Sequence, residues 1–169
     1  MAPSASRLLD GWSASGKHSG MATLFALLLG LVLILATITI HYEALRAISG
    51  AIPCLSVPPR ARILIVIGGV FIAHFAEIAL YAFAFAVMQN RFGLGAISGV
   101  LEGNPLDFLY LSISSYTTLG VGDVFPTGPL RVVAAIEALN GLVLIGWSAS
   151  FTYLAMQRFW QAHGGRKKK

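Results

Sequence analysis

Three apolar runs, with polar stretches between them, set the pattern of this chain. Met21 to Ile40 carries no charge and has about the twenty residues a helix needs to cross a hydrocarbon core. The second run, Ile63 to Met88, stops before Gln89-Asn90-Arg91. The third, Leu130 to Met156 or Gln157, is longer than a bilayer demands and predicts a tilted or projecting helix. A cleaved leader is the competing reading of the first run. It loses because the apolar part is too long and no small-x-small site follows; the chain passes instead through Thr37, Thr39, His41 and Tyr42.

The polar stretches have their own signals. Residues 1–20, rich in Ser, Gly and Ala, read as a poorly ordered tail with an interfacial turn near Leu8, Leu9 and Trp12. Residues 41–62 set Arg46, Arg60 and Arg62 against Glu43, and Pro53, Pro58 and Pro59 prevent one continuous helix, so this is a connector. Residues 89–104, with glycines at 93, 95, 99 and 103, read as a loop. Asn104 then caps a short helix from Pro105 to Tyr116, with Asp107 placing negative charge at the positive end of its dipole.

Composition excludes a soluble domain: 56% of residues are hydrophobic and 11% charged. The net charge of +5 gathers near membrane boundaries and in the basic tail, residues 158–169, ending GGRKKK. That pattern fits topology and anionic lipid headgroups, and no aromatic interleaving suggests a nucleic-acid surface. With three spans the 41–62 connector and the C-terminus share the basic, cytoplasmic side of a cell membrane, which puts the N-terminus outside. Cys54, the single cysteine, offers no intrachain disulfide. No cofactor is expected.

Between the last two runs lies Ser114 to Pro126, SSYTTLGVGDVFP. Irregular backbone at membrane depth must be buried in protein or line a watery path. Glycines at alternate positions permit positive φ, so that successive carbonyls can turn to one side. Thr118, Leu119, Gly120, Gly122 and Asp123 resemble the selectivity filter of potassium channels, T-V/I/L-G-Y/F-G-D, and Val121 departs where that family has an aromatic.

The resemblance implies an all-α membrane protein: three transmembrane helices per chain, a re-entrant pore helix and a selectivity filter in a tetrameric pore. Residues 63–157 form the pore domain (outer helix 63–88, loop 89–104, pore helix 105–116, filter 117–123, inner helix 130–157), and the span at 21–40 is an addition to the simplest two-helix form. Carbonyls of Thr118, Leu119, Gly120 and Val121, with the Thr118 hydroxyl, would hold K+, and Gly122 would form the outer mouth. Thr117 and Ser114 would support the filter, with Asp123 bracing it toward Ser114. Gly141 and Gly146 are candidate gating hinges. A valine at 121 buries less area than an aromatic and softens selectivity. The rival readings are a non-selective monovalent cation pore and a non-conducting, regulatory subunit.

His74 and Glu77 share a face of the second span, and intramembrane ionisable residues are functional candidates by default. Glu137 and Asn140 raise the same question on the third. Matching depths at about 1.5 Å per residue sets Glu77 within reach of Asn140 and Glu137 behind the pore helix. On this basis Glu77 and His74 couple pH to the filter or inner helix, against the plainer reading of interhelical glue. No H-E-x-x-H occurs, and no span has a basic residue at every third position, so a metalloprotease and a voltage sensor are excluded. The pentapeptide GWSAS at 11–15 and 146–150 has no physical account from sequence.

Overall fold

The computed structural model describes residues 5–54 and 56–164. Arg166 to Lys169, the basic end on which a lipid contact is expected, lie outside the described residues, as do the side chains of Leu8, Leu9 and Trp12. Four helices and a two-stranded ribbon follow in the order α1 (Ala5–Ala51), α2 (Pro59–Asn90), β1 (Ile97–Gly99), α3 (Leu106–Tyr116), β2 (Val124–Pro126) and α4 (Leu130–Gly164). Among the described residues, three helical stretches are long and apolar enough to cross a membrane: Gly20–Cys54, Ala61–Asn90 and Leu130–Arg158. The protein is an all-α membrane protein, and its two three-residue strands are a clasp rather than a layer.

Helix α1 corrects two expectations. Residues 5–20 are helical, not an irregular tail, and the helix runs on through His41 to Ala51, so the connector shrinks to a 3-10 turn at Ile52–Cys54 and the residues before Pro59. The Thr-rich stretch does not stop the helix, because Thr37 donates to the carbonyls of Leu33 and Ile34 at 2.8 and 3.0 Å and Thr39 to that of Leu35 at 2.7 Å. Pro53, the first proline after Pro3, marks where it must end. Glu43 and Arg46 pair across one turn on the exposed face.

Each long helix buries one stripe and leaves apolar residues on the others. Ala26, Leu33, Thr37, His41 and Leu45 form that stripe on α1; Val66, Val70, Ala73, Glu77, Tyr81, Phe85 and Met88 form it on α2. Leu24, Leu28, Leu31 and Leu35 on α1 are exposed, as lipid contact requires. The pore helix α3 packs between α2 and α4. Its start is as the sequence implies: Asn104 Oδ1 accepts from the Leu106 N–H at 2.7 Å, and the Asp107 carboxylate accepts the backbone N–H groups of Glu102, Gly103 and Asn104.

Residues 89–104 are more than a loop. Gln89 Oε1 receives the Ile97 N–H at 2.7 Å, and β1 pairs antiparallel with β2, Gly99 opposite Val124. Gly99 has φ +117°, and a Cβ there would meet the Asp123 carbonyl oxygen at 1.9 Å, so only glycine lets the strands close. The clasp thereby fixes the residues that follow Gly122.

Helix α4 is continuous through both candidate hinges, but the two glycines differ. At Gly141 a Cβ would lie 2.3 Å from the Tyr116 carbonyl oxygen; at Gly146 it would meet nothing within 4 Å. Gly141 is a close-packing position. Gly141→Ala is therefore expected to destabilise the protein by about 1–3 kcal/mol through overpacking, while Gly146→Ala leaves its stability within about 0.5 kcal/mol. Thermal unfolding in detergent compares them; equal melting temperatures would refute the close-packing role.

Candidate functional site

The segment 117–123 begins where α3 runs out of helical partners. The N–H groups of Thr118 and Leu119 bond the carbonyls of Ser115 and Ser114, each at 2.9 Å, and the Gly120 N–H bonds Ser114 at 3.4 Å. These donors satisfy the carbonyls at the helix end. They also turn the N–H groups of residues 118–120 toward α3, which by the planarity of the peptide points the carbonyls of Thr117, Thr118 and Leu119 away from it. Thr118, Gly120 and Gly122 have φ of +56°, +57° and +86°. Positive φ thus alternates with ordinary backbone at Leu119 and Val121. Thr118 is the one non-glycine with positive φ among the described residues, a conformation that persists only where surrounding structure fixes it. Leu119 and Val121 are 67% and 56% exposed, with no cover from their own chain.

Asp123 is held at both ends, by partners other than the one expected. Its backbone carbonyl accepts the Val100 N–H at 2.9 Å, and its carboxylate accepts the Tyr110 hydroxyl at 2.8 and 3.0 Å and the Val124 N–H at 2.9 Å. Tyr110, one turn before Ser114 on α3, is the brace; Ser114 contributes its backbone carbonyl. Thr117 turns its hydroxyl back to the Ile113 carbonyl at 2.7 Å.

Behind the filter a polar seam runs through the bundle. Glu77, fully buried, accepts from the Tyr116 hydroxyl and lies 2.8 Å from His41 Nδ1 and 3.3 Å from His74 Nδ1. His74 Nδ1 is 2.8 Å from the Tyr116 hydroxyl, and Ser148 Oγ lies 3.0 Å from Nε2 of both histidines. Asn140 does not reach Glu77: its amide donates to Thr37 Oγ1 at 2.7 Å and the Tyr81 hydroxyl at 3.3 Å. Glu137 is behind the pore helix as depth matching implies. There its Oε1 accepts from the Ser112 hydroxyl, which also contacts the Ile78 carbonyl at 2.8 Å, and its Oε2 has no hydrogen-bond partner.

Sequence reasoning missed His41 by placing it in a connector; its signal was the four-residue spacing Thr37–His41–Leu45 continuing the buried stripe. The second GWSAS also acquires a role, since Trp147 packs on His41 with ring centres 5.3 Å apart and Ser148 joins the two histidines.

A short helix entering between two membrane-length helices, followed by irregular backbone with alternating positive φ and a clasped exit, defines a class: an ion channel built on a re-entrant pore loop. The profile of the family described as Ion channel matches residues 62–158, more than half of the chain, and the protein belongs to that family. No curated relative and no solved structure matches the chain.

Tyr110→Phe removes both hydroxyl bonds to Asp123 and is expected to lower ion flux and its discrimination between ions. Asp123, by its hydrogen bond first and burial second, pushes the Tyr110 phenol above its ordinary value. The hydroxyl bond is thus fully present below the ordinary phenol range and lost only as pH rises through the raised value. Flux unchanged by the substitution at neutral pH would show that Tyr110 braces nothing.

Proposed function

We propose that this protein is a potassium-selective channel in which four copies surround one pore and pass K+ passively. Backbone carbonyls of Thr118, Leu119, Gly120 and Val121, with the Thr118 hydroxyl, replace the ion's water shell, and Gly122 forms the outer mouth. The observation that carries this reading is the direction of the backbone: N–H groups of residues 118–120 are consumed by the end of α3, and positive φ at Thr118, Gly120 and Gly122 aligns the intervening peptide planes. One such strand cannot encircle an ion, and a ring of four supplies the missing sides. The uncovered side chains of Leu119 and Val121, and the exposed apolar residues Leu139, Leu142 and Val143 on α4, support contact with further copies.

Selectivity follows from field strength and rigidity. Val121 brings no aromatic packing, so stiffness must come from Tyr110 on Asp123 and from the β1–β2 clasp. A filter held at two points beyond its mouth favours K+ over a non-selective pore. In the cell membrane we infer that the N-terminus and filter mouth face outward and the C-terminus faces the cytoplasm, because three spans would bring the arginines at 46, 60 and 62 to the same side as the basic C-terminal end of the sequence.

Purified protein in liposomes with a potassium gradient is expected to give a reversal potential that tracks K+ when Na+ replaces it on one side. A potential indifferent to that exchange means a non-selective pore; no flux means a subunit that conducts only with other chains. Gly120→Ala should abolish flux while oligomers still form. The cost of a left-handed side chain is about 1–2 kcal/mol per chain and is incurred in every copy around the ring. Normal currents from this variant would remove the filter assignment. Tags at residue 2 and residue 169 test orientation: the first should be reached by antibody on intact cells and the second should not.

A further inference from the structure

The polar groups around Glu77 close on themselves. Glu77 meets His41, His41 meets Ser148, Ser148 meets His74, His74 meets Tyr116, and Tyr116 returns to Glu77. Five residues from α1, α2, α3 and α4 thus form a ring with five contacts around its edge, each of which needs one proton between its two heavy atoms; a sixth, longer contact of 3.3 Å from His74 Nδ1 to Glu77 crosses it and can share the proton that His74 turns toward Tyr116. Tyr116 and Ser148 bring one proton each, two neutral imidazoles bring one each, and an ionised Glu77 brings none. Four protons cannot make five bonds. One contact would then set lone pair against lone pair, and the ring would hold an uncompensated negative charge on the fully buried Glu77.

One further proton completes it. Placed on His41, it lets His41 donate to Glu77 and to Ser148, Ser148 to His74, His74 to Tyr116, and Tyr116 to Glu77. Placed on Glu77, it reverses the donors through Tyr116, His74 and Ser148 and closes the ring equally well. Either way every bond is made and the net charge is zero. A second added proton leaves Ser148 accepting from both imidazoles, so that its own O–H has no acceptor in the ring, and gives the buried cluster a net positive charge. The count does not depend on which nitrogen carries hydrogen.

We propose that this ring is a binding site for a single proton per chain, and that its occupancy sets the position of Tyr116 and, through the adjoining Thr117, the inner start of the filter. Among the described residues the titratable groups facing it are Tyr81 on α2, bonded to Asn140, and Glu137 on α4, bonded to Ser112; both act on Tyr116 through charge and neither is hydrogen-bonded to the ring. A route for the proton exists, because His74 is 15% exposed and lines, with Tyr116, Thr117 and Ser148, a cavity of about 580 Å³. Binding of the proton stands on the geometry alone; its effect on flux rests on the channel reading.

Two measurements on the full-length protein separate these parts. Thermal stability of the detergent-solubilised protein should fall with rising pH by one proton per chain, a tenfold change in the folding constant per pH unit, once the unfolded chain has lost the proton that the ring keeps. In liposomes, potassium flux between about pH 5 and 10 should drop on the alkaline side by about 5- to 150-fold, an allosteric coupling of ordinary size. Glu77→Gln is the decisive variant. An amide accepts from His41 and donates to Tyr116, which closes all five contacts with neutral residues and nothing left to titrate. It should therefore show at alkaline pH the flux that the wild type shows at acid pH, and lose the stability slope. Ser148→Ala leaves three contacts that an ionised Glu77 satisfies, and it should flatten both profiles too.

Structural glue predicts the reverse: Glu77→Gln melts lower at every pH and keeps the wild-type pH profile. That result overturns the proposal. So does tight, stoichiometric Zn2+ binding to the wild type that Glu77→Gln abolishes with the pH profile unmoved, since His41, His74 and Glu77 would then be metal ligands. No flux from the wild type, with the stability slope present and absent as described, would retain the proton site and reject only the channel reading.

Discussion

Glu77 is fully buried, and a carboxylate in that position must find its partners within the bundle. That requirement organises the packing of all four helices. His41 comes from α1, His74 from α2 itself and Tyr116 from the last turn of the pore helix, while Ser148 on α4 ties the two imidazoles together. Breaking a buried ionic or hydrogen-bonded group by removing one partner costs about 3–5 kcal/mol. The rotation of each helix about its own axis is thereby specified to within a residue, which apolar surfaces facing lipid on every other side could not achieve. The same groups hold Tyr116, and with it the point at which α3 ends.

The first helix is therefore not an appendage to a two-helix pore. The family match begins at residue 62, after α1 has ended, yet Thr37 and His41 of α1 complete the hydrogen bonds of Asn140 and Glu77 inside the matched region. A chain of residues 62–158 alone would leave a buried amide and a buried carboxylate short of partners. The added span answers a demand created in the pore domain.

Much of this was legible in the sequence where the physics is local. The Asn104 cap with Asp107 three residues on, the apolar runs and the Thr-Leu-Gly-Val-Gly-Asp segment each declare themselves within a few residues. What was not legible depends on distance. His41 needed the rotation of one helix against another, and the polar run around it looked like an exit from the membrane because Thr37 and Thr39 hide their hydroxyls on their own helix. Tyr110 was passed over for Ser114 because the direction of the Asp123 side chain depends on how the filter leaves the helix. Strands of three residues, such as β1 and β2, carry no periodicity to detect. Depth matching placed Glu137 correctly but sent Glu77 to Asn140, since it fixes height and says nothing of rotation.

The two glycines of α4 give the inner helix two different relations to the pore. At Gly141 the backbone lies against the Tyr116 carbonyl with no room for a methyl group, so a bend there would displace the end of α3. Gly146 is surrounded by open space, and a bend there would leave the Gly141–Tyr116 contact intact. Ser148, however, lies beyond Gly146, and such a bend would draw its hydroxyl from both imidazoles. The ring would then lose the two contacts that make the extra proton necessary, because the remaining three are satisfied with Glu77 ionised. Bending at Gly146 and release of the proton thus favour one another, and by linkage each must bias the other to the same extent. The inner helix and the filter end of α3 share one proton as their common ligand, whichever of them moves first.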